Sequence, residues 1–477
     1  MSEKEFDKEN LDLNTIVNYC KRKGFVYPSS DIYGGYAATY DFGPLGVLLK
    51  NNIFQIWRKW NVTSRPDVVE IEGAIFMHPK VWEASGHIGG FADLMVEDSI
   101  THKRFRADHL LEETGAVKDG SALTPEQVDD IVAANNIVSP DGNPLSKAKR
   151  FNLLVKTHLG PIEDESTVAY LKGEACQNIY LNFKNVLETT RKKLPFGIAQ
   201  IGKAFRNEIT VKQFILRMRE FEQMDVQYFC HPSEADQQYE NWKQNRQSFY
   251  TDVLKLSPEN IRMRQHGEDE RAFYASDAWD VEYKFGELGF KEIEGLHHRG
   301  SYDLDQHAKF SGKDLSYLDV ERGNLRYNPY IVECSAGFTR IFLAILFENY
   351  FEEEVDDANG NKETRIVLKF PYNLAPFKLA ILPLMKKDGM KEKAESIYAD
   401  LLAAGISVDY DEAGSIGKRY RRQDESGTPW CLTVDHQALE DDTVTLRHRD
   451  TMEQVGDQGR VSVKNIKDYL NDKAFEG

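Results

Sequence analysis

The chain has 477 residues, room for about two or three domains, and its 41% hydrophobic and 29% charged residues are a soluble globular composition rather than a disordered one. A formal net charge of −17 gives no global basic field, so any nucleic-acid contact must come from local basic patches on an acidic body. No run of about 18 or more apolar residues occurs, and the acidic start MSEKEFDKEN reads as neither a signal peptide nor an arginine-rich transit peptide. With five scattered cysteines (20, 176, 230, 334 and 431) and no C-x-x-C, a cytoplasmic location, no membrane partner and no zinc site are expected. Residues 43–60, GPLGVLLKNNIFQIWRKW, place Leu45, Leu48, Leu49, Ile53, Ile56, Trp57 and Trp60 on one stripe at helical spacing, with Pro44 suited to the first turn. That helix faces either the core or a second subunit. VVEIEGAIFMH, from residue 68, reads as extended.

Residues 107–150 are turn-rich and polar and read as an insertion, with Thr124 and Gln127 forming a capping-box start for a short helix. Next, GKAFRNEITVKQFILRMREFEQMD (residues 202–225) sits between the apolar stretches GIAQIG and VQYF, which read as strands. Residues 231–275 read as helices on a charged surface. YNPYIVECSAGFTRIFLAILFENY, residues 327–350, reads as strand, tight turn and a helix apolar nearly all round. FEEEVDDANGNKETR, residues 351–365, reads as a linker. Beyond it strand and helix alternate, with Gly405 stopping one helix, which predicts a small α/β domain over 366–477.

Several motifs are absent. There is no G-x-x-x-x-G-K-[ST], no G-x-G-x-x-G after a strand and no G-x-S-x-G. HIGG at 87–90 departs at Gly90 from the HIGH of class I synthetases, with neither a Rossmann-type strand nor a KMSKS-like partner. The adjacent His297 and His298 lack a spaced set of further ligands. What stands out is the charge in the 202–225 stretch: arginines and glutamates where a core strand pair is expected, and no nucleophile. Arginines in that setting suit phosphate, because the guanidinium is planar, permanently charged and bidentate. Glutamates beside them suit Mg²⁺ or an ammonium group. Arg340 opens a helix, where a cation opposes the dipole by a few tenths to about 1 kcal/mol. A bound anion there reverses the sign, and a paired carboxylate is the plainer account.

With an arginine-bearing strand–loop–strand and a strand–glycine–helix ending in arginine, the chain resembles a class II aminoacyl-tRNA synthetase. The segments GFVYPSSDIYGGYAATYDFGPLG, HPKVWEASGH, RFRADHL, KLPFGIAQIGKAFRNEI, RMREFEQMD, YDLDQHA, APFKLAILPL and SIGKRYRRQDESGTPWC narrow the resemblance to the dimeric, single-chain glycyl-tRNA synthetases. They run from about residue 24 to 455. The resemblance implies an α+β catalytic domain over 1–350, an antiparallel sheet flanked by helices, with insertions near 107–150 and 231–310. It also implies a C-terminal α/β anticodon-binding domain, a homodimer formed through the first motif, and two steps. Glycine and ATP, with Mg²⁺, give glycyl-adenylate and pyrophosphate; glycine then passes to the 3′ end of its tRNA. The substrate carboxylate is then the nucleophile, which explains why the chain supplies none.

Carried over by motif, Arg206 contacts the α-phosphate, with Asn207 and Glu208 on ATP. Leu216, Arg217, Met218, Arg219, Glu220 and Phe221 line the nucleotide, and Arg340, with Gly337, Phe338 and Thr339, approaches the γ-phosphate. Glu292 and Ile293 fall in the next ATP segment, with Glu292 the candidate for Mg²⁺. Glycine recognition falls on Arg106, Glu174, the run Phe221, Glu222, Gln223, Met224, Asp225, and the run Glu333, Cys334, Ser335, Ala336, Gly337, with Arg299 a further candidate for the carboxylate. A pocket with no room at the α-carbon rejects larger side chains sterically, so no editing domain is expected. The family pattern R-P-E-T-A-Q-G is KGEACQN here, with Lys172, Gly173 and Asn178 different. G-E-L-W-G-I-A is KEIEGLH, with Lys291 and His297 unexpected. The run Lys418, Arg419, Arg421, Arg422 is either a solvated helix face or a local tRNA contact.

Overall fold

A computed structural model of the chain describes residues 6–90, 92–117, 123–208, 213–268, 270–272, 274–356 and 360–474. Its centre is a seven-stranded sheet of β1 (Val68–Glu70), β2 (Phe196–Phe205), β3 (Glu220–Cys230), β4 (Ile261–Gln265), β5 (Asp277–Lys284), β6 (Phe290–Gly300) and β7 (Tyr330–Gly337). The spatial order is β4-β5-β6-β7-β3-β2-β1, antiparallel throughout except where β1 joins β2. Around it lie helices α1 (Pro44–Arg58), α2 (Cys176–Thr190), α3 (Ala235–Ser248), α4 (Tyr302–Ser311) and α5 (Phe338–Asn349).

One sheet face is closed by α1, α3 and α5. Leu49, Ile53 and Trp57 of α1, Trp242 of α3 and Phe342 of α5 share a core with Met224, Val226, Leu296 and Val332 of the sheet. The four-residue spacing of Leu45, Leu49, Ile53 and Trp57 makes α1 core-facing, each side chain contributing on the order of 2 kcal/mol by leaving water. The other sheet face is closed at one end only. There Phe183 of α2 and Leu304 of α4 pack on Phe196, Ile198, Phe229 and Ile331, leaving the opposite end of that face open as a cleft. Strand β7 passes into α5 at Gly337 without a loop, so Arg340 stands in the first turn of a buried helix, above the sheet.

The insertion begins earlier than its polar composition suggests. Strands Ala92–Glu97, Arg104–Arg106 and Lys149–Asn152 form a small sheet, and Leu94 and Val96 join Leu110, Leu111 and Val128 in a core of its own. Both capping-box hydrogen bonds of Thr124 and Gln127 start the helix Pro125–Ala134. The stretch near 231–310 is not an insertion, because β5 and β6 are interior strands of the main sheet. Its charges disguised it: Asp280, Glu282 and Glu294 are buried against arginines rather than solvated. Nor is 351–365 a loose linker. Its described residues lie mostly in a strand pair, β8 (Tyr350–Asp356) with β9 (Lys362–Leu368), anchored by buried Arg365, which pairs with Asp424 at 2.9 Å and with Glu353 at 2.7 Å.

The C-terminal sheet has β10 (Leu379–Pro383), β11 (Val408–Tyr410), β12 (Trp430–Val434), β13 (Thr443–His448) and β14 (Gln454–Ser462) in the order β11-β10-β12-β13-β14. Helices α6 (Met390–Ala403) and α7 (Ile416–Ser426) flank it, and Gly405 ends α6 at φ +76°. Three of the four charges of the basic run on α7 are held by partners within the fold. Arg419 is 4% exposed and donates to the carbonyls of Pro383 (2.5 Å), Gly414 (3.1 Å) and Leu384 (3.4 Å). Arg421 pairs with Glu363, Arg422 pairs with Asp411, and Lys418 is exposed. Arg419→Ala strips the donor from those carbonyls and is expected to destabilise the C-terminal domain by about 3 kcal/mol, read from urea unfolding.

Candidate active site

The cleft holds about 370 Å³ and is lined from the ends of β2, β3, β6 and β7, the turn before α2 and the first turn of α5. One half is cationic. Arg206, closing β2, donates through Nε to the Gly173 carbonyl at 3.0 Å, with its guanidinium 5.4 Å from the Phe221 ring centre. Arg340 donates to the carbonyls of Leu216 (3.2 Å) and Glu292 (2.9 Å) and pairs with the Glu292 carboxylate at 2.9 Å. The carboxylate therefore offsets the helix dipole acting on Arg340, and Arg340 in turn holds the Glu292 carboxyl below its usual range. Glu208, Leu216, Arg217, Met218, Phe221, Gly337 and Thr339 complete this half.

The other half is anionic and closely hydrogen-bonded. Glu174 accepts from Gln177 Nε2 at 2.9 Å and Cys176 Sγ at 3.1 Å, and lies 3.2 Å from His87 Nε2. Glu333 accepts from Gln227 Nε2 (2.9 Å) and Arg299 Nη1 (2.9 Å), and lies 2.7 Å from His297 Nδ1. Gln223 Oε1 accepts the Ala175 N–H at 2.8 Å, and Ser335 donates to Asp225 Oδ1 at 2.6 Å. These environments drive the carboxyls apart. Burial raises Glu174 and Glu333, but His87 holds Glu174 well down, and Arg299 with His297 holds Glu333 at about 2. Burial, with Glu333 and Glu174 nearby, pushes Asp225 well up, so it stays protonated; its Oδ2 is buried without a hydrogen-bond partner among the described residues. Burial and then Glu174 likewise push the Cys176 thiol well up, so no thiolate nucleophile forms in the cleft.

Strand alternation corrects the contiguous site runs expected from the sequence. On β3, Phe221 and Gln223 line the cleft and Asp225 lies beneath them, whereas Glu222 turns to the opposite face, to Lys50 and Lys203, and Met224 enters the core. On β7, Glu333, Ser335 and Gly337 face the cleft while Cys334 and Ala336 pack against the helices. Phe338 and Ile293 are also core residues. On β6 a bulge at Ile293, between the pairs Glu282–Glu292 and Val281–Glu294, resets the parity. Glu292 thereby joins Gly295, His297 and Arg299 on the cleft side.

Asn207, Arg219, Glu220 and Arg106 are not among the lining residues. Arg219 donates to the Glu208 carbonyl at 3.2 Å, Glu220 pairs with Lys203 at 2.7 Å, and exposed Asn207 is tied by its backbone to Leu153. Arg106 is held by Asp108 at 2.5 Å and Asp93 at 3.3 Å. Arg299 is not a free carboxylate binder: it is 2% exposed, and its fork is spent on Asp303 (2.7 and 2.9 Å) and Glu333.

Some of the site was missed from the sequence. Gln227 continues the two-residue count from Phe221 and was within reach of that rule. His87, Cys176, Tyr274 and His297 come from four separate segments, which periodicity does not link. The altered KGEACQN segment proves internally matched. Buried Lys172 donates to the Gly73 carbonyl (3.1 Å) and Asn178 Oδ1 (3.4 Å), and a Cβ on Gly73 would come within 2.3 Å of Asn178 Cγ. The Gly173 carbonyl is the one that accepts from Arg206.

Comparison with known proteins follows the same division of the chain. Residues 159–350 match the family described as tRNA synthetase class II core domain (G, H, P, S and T), and residues 378–473 match the anticodon binding domain family. A glycine–tRNA ligase of Treponema denticola is 48% identical over 450 residues, covering 94% of this chain and 95% of that protein. Those of Clostridium perfringens (47% identical, 97% and 98% covered) and Borreliella burgdorferi (45%, 96% and 96%) are similar over almost the same length. With both domains matched and relatives at this identity along nearly the whole chain, the protein belongs to the glycine–tRNA ligase family of class II aminoacyl-tRNA synthetases.

Proposed function

We propose that the cleft activates glycine with ATP, nucleotide in the cationic half and amino acid in the anionic half, before transfer of glycine to its tRNA. The observation that carries this assignment is the polarity of one continuous cleft, Arg206 and Arg340 at one end and ionised Glu174 and Glu333 at the other. A glycine oriented by its ammonium in the acidic half directs its carboxylate toward the arginines, where a phosphate would sit. A carboxylate oxygen then attacks the α-phosphorus as the bond to pyrophosphate breaks. Arg206 stabilises charge on the α-phosphate and Arg340 holds the far phosphates, so catalysis is positioning and electrostatics rather than covalent help from the chain. In the second step a hydroxyl of the terminal tRNA ribose attacks the carbonyl carbon and AMP leaves. Phe221, Leu216 and Met218 offer an apolar seat for the base.

Mg²⁺ fits this arrangement as a partner of the phosphates. Among the described residues no group of three or more His, Cys, Asp or Glu could hold an ion alone, whereas Glu292 faces the cleft and can give one carboxylate oxygen. When bound, the ion neutralises phosphate charge. Glu292→Gln is expected to raise the Mg²⁺ concentration for half-maximal exchange several-fold and to loosen Arg340, measured by Mg²⁺ titration at saturating ATP. A homodimer is proposed as well: Ile32, Tyr33 and Tyr36, at 88%, 87% and 72% exposure, form a surface suited to a second copy. Five buried free cysteines, and the absence among the described residues of a helix long and apolar enough to cross a membrane, support a cytoplasmic enzyme.

Glycine-dependent exchange of pyrophosphate into ATP tests the assignment. Exchange with serine or alanine but not glycine would overturn the substrate. Exchange with no amino acid would leave a binding protein.

A further inference from the structure

The histidine at 297 has no role in the reaction as argued so far, yet it sits at the amino-acid end of the cleft. Its ring lines the cleft with its side chain 16% exposed. Nδ1 lies 2.7 Å from Glu333 Oε2, and Glu333 is ionised, so Nδ1 carries the hydrogen and donates it. In the neutral ring this fixes the tautomer and makes Nε2 the acceptor, and Nε2 makes no hydrogen bond among the described residues. Space for the ring depends on Gly295: a Cβ there would stand 3.0 Å from His297 Cε1. Glu333 meanwhile accepts from Gln227, Arg299 and His297, three of roughly four lone-pair sites. Little of its own accepting capacity remains for a substrate.

We infer that His297 is a substrate-contacting residue: its Nε2 accepts a hydrogen bond from the ammonium group of the amino acid, and Glu333 acts through it by fixing and polarising the ring. The inference rests on the placement of glycine at the Glu174–Glu333 end. The charged and titratable groups facing the imidazole are Glu333 from β7, Glu292 and Arg299 from its own strand, and Tyr274 and His266 on the far flank. Their ring centres lie 6.1 and 6.3 Å away, with Asp280 holding His266. The contact uses the neutral ring, whose Nε2 lone pair is the one acceptor an imidazole offers an ammonium.

The test is glycine-dependent exchange for the wild type, His297→Gln, His297→Leu and Glu333→Gln, each with its melting temperature. His297→Leu should raise KM for glycine about tenfold with KM for ATP unchanged. His297→Gln, whose Oε1 reaches where Nε2 stands, should recover most of that affinity. A purely structural histidine would not lose glycine affinity alone, at an unchanged melting temperature, and regain it with glutamine. If both His297 variants keep the wild-type KM while Glu333→Gln raises KM, the inference about His297 is wrong and the glycine placement stands. If Glu333→Gln also leaves KM for glycine unchanged, the placement itself falls.

Discussion

Arg206→Ala is expected to lower kcat for glycine-dependent exchange about a thousandfold, with a change in melting temperature of only about 2 °C. The first figure is what removing a preorganised cation from developing phosphoryl charge costs. The second follows from position. Arg206 is half-buried at the mouth of β2, and its side-chain contacts include a 3.0 Å bond to the Gly173 carbonyl and a stack over Phe221. Neither holds the sheet together. Arg206→Lys should recover little, since an ammonium cannot both hold that carbonyl and present a flat fork to a phosphate. The split between constants is the discriminating reading. A role confined to the transition state lowers kcat and kcat/KM together, whereas a raised KM for ATP at unchanged kcat would make Arg206 a ground-state anchor and remove it from the chemistry.

What was legible in the sequence follows from which physical rules are local. The stripe of α1, the capping box at Thr124, the apolar helix α5 and the stop at Gly405 all depend on neighbours within a few residues, and all form as read. The elements misread were those where buried charge imitates surface. Segment 277–300 is rich in Asp, Glu and His, yet its charges are paired inside the fold, as Glu294 is with Arg246 and with Tyr250 at 2.7 Å. The site was legible as segments but not as side chains. Resemblance selects runs such as 221–225 and 333–337, and only strand parity assigns alternate members to cleft and core. The bulge at Ile293 breaks that parity once, so Glu292 could not have been assigned by counting.

Arg299→Leu is expected to destabilise the protein by about 3–5 kcal/mol, a large share of the stability of an ordinary domain. Resemblance pointed to Arg299 as a receptor for the substrate carboxylate, and its surroundings argue otherwise. The guanidinium lies 3.8 Å from the Tyr274 ring centre, with Nε and Nη2 on Asp303 and Nη1 on Glu333. Leucine fills part of the volume but leaves two buried carboxylates without their cation, the costly way to break an ion pair. The pH dependence gives the sign. In the wild type Glu333 is held at about 2, below its ordinary 4.5, so it contributes stability above 4.5 that is lost as pH falls through about 2. Without Arg299, burial and the neighbouring Glu174 favour the protonated form, so the same carboxyl destabilises the fold at neutral pH and is relieved as it takes a proton. The stability gap between wild type and variant should therefore be widest near neutrality and narrow as pH falls toward about 4, measured by urea unfolding at several pH values. A gap independent of pH would mean that leucine costs only packing. A variant that keeps wild-type stability but needs about a hundredfold more glycine would restore Arg299 to the substrate, because only a guanidinium free of Asp303 and Glu333 could be lost without disturbing them.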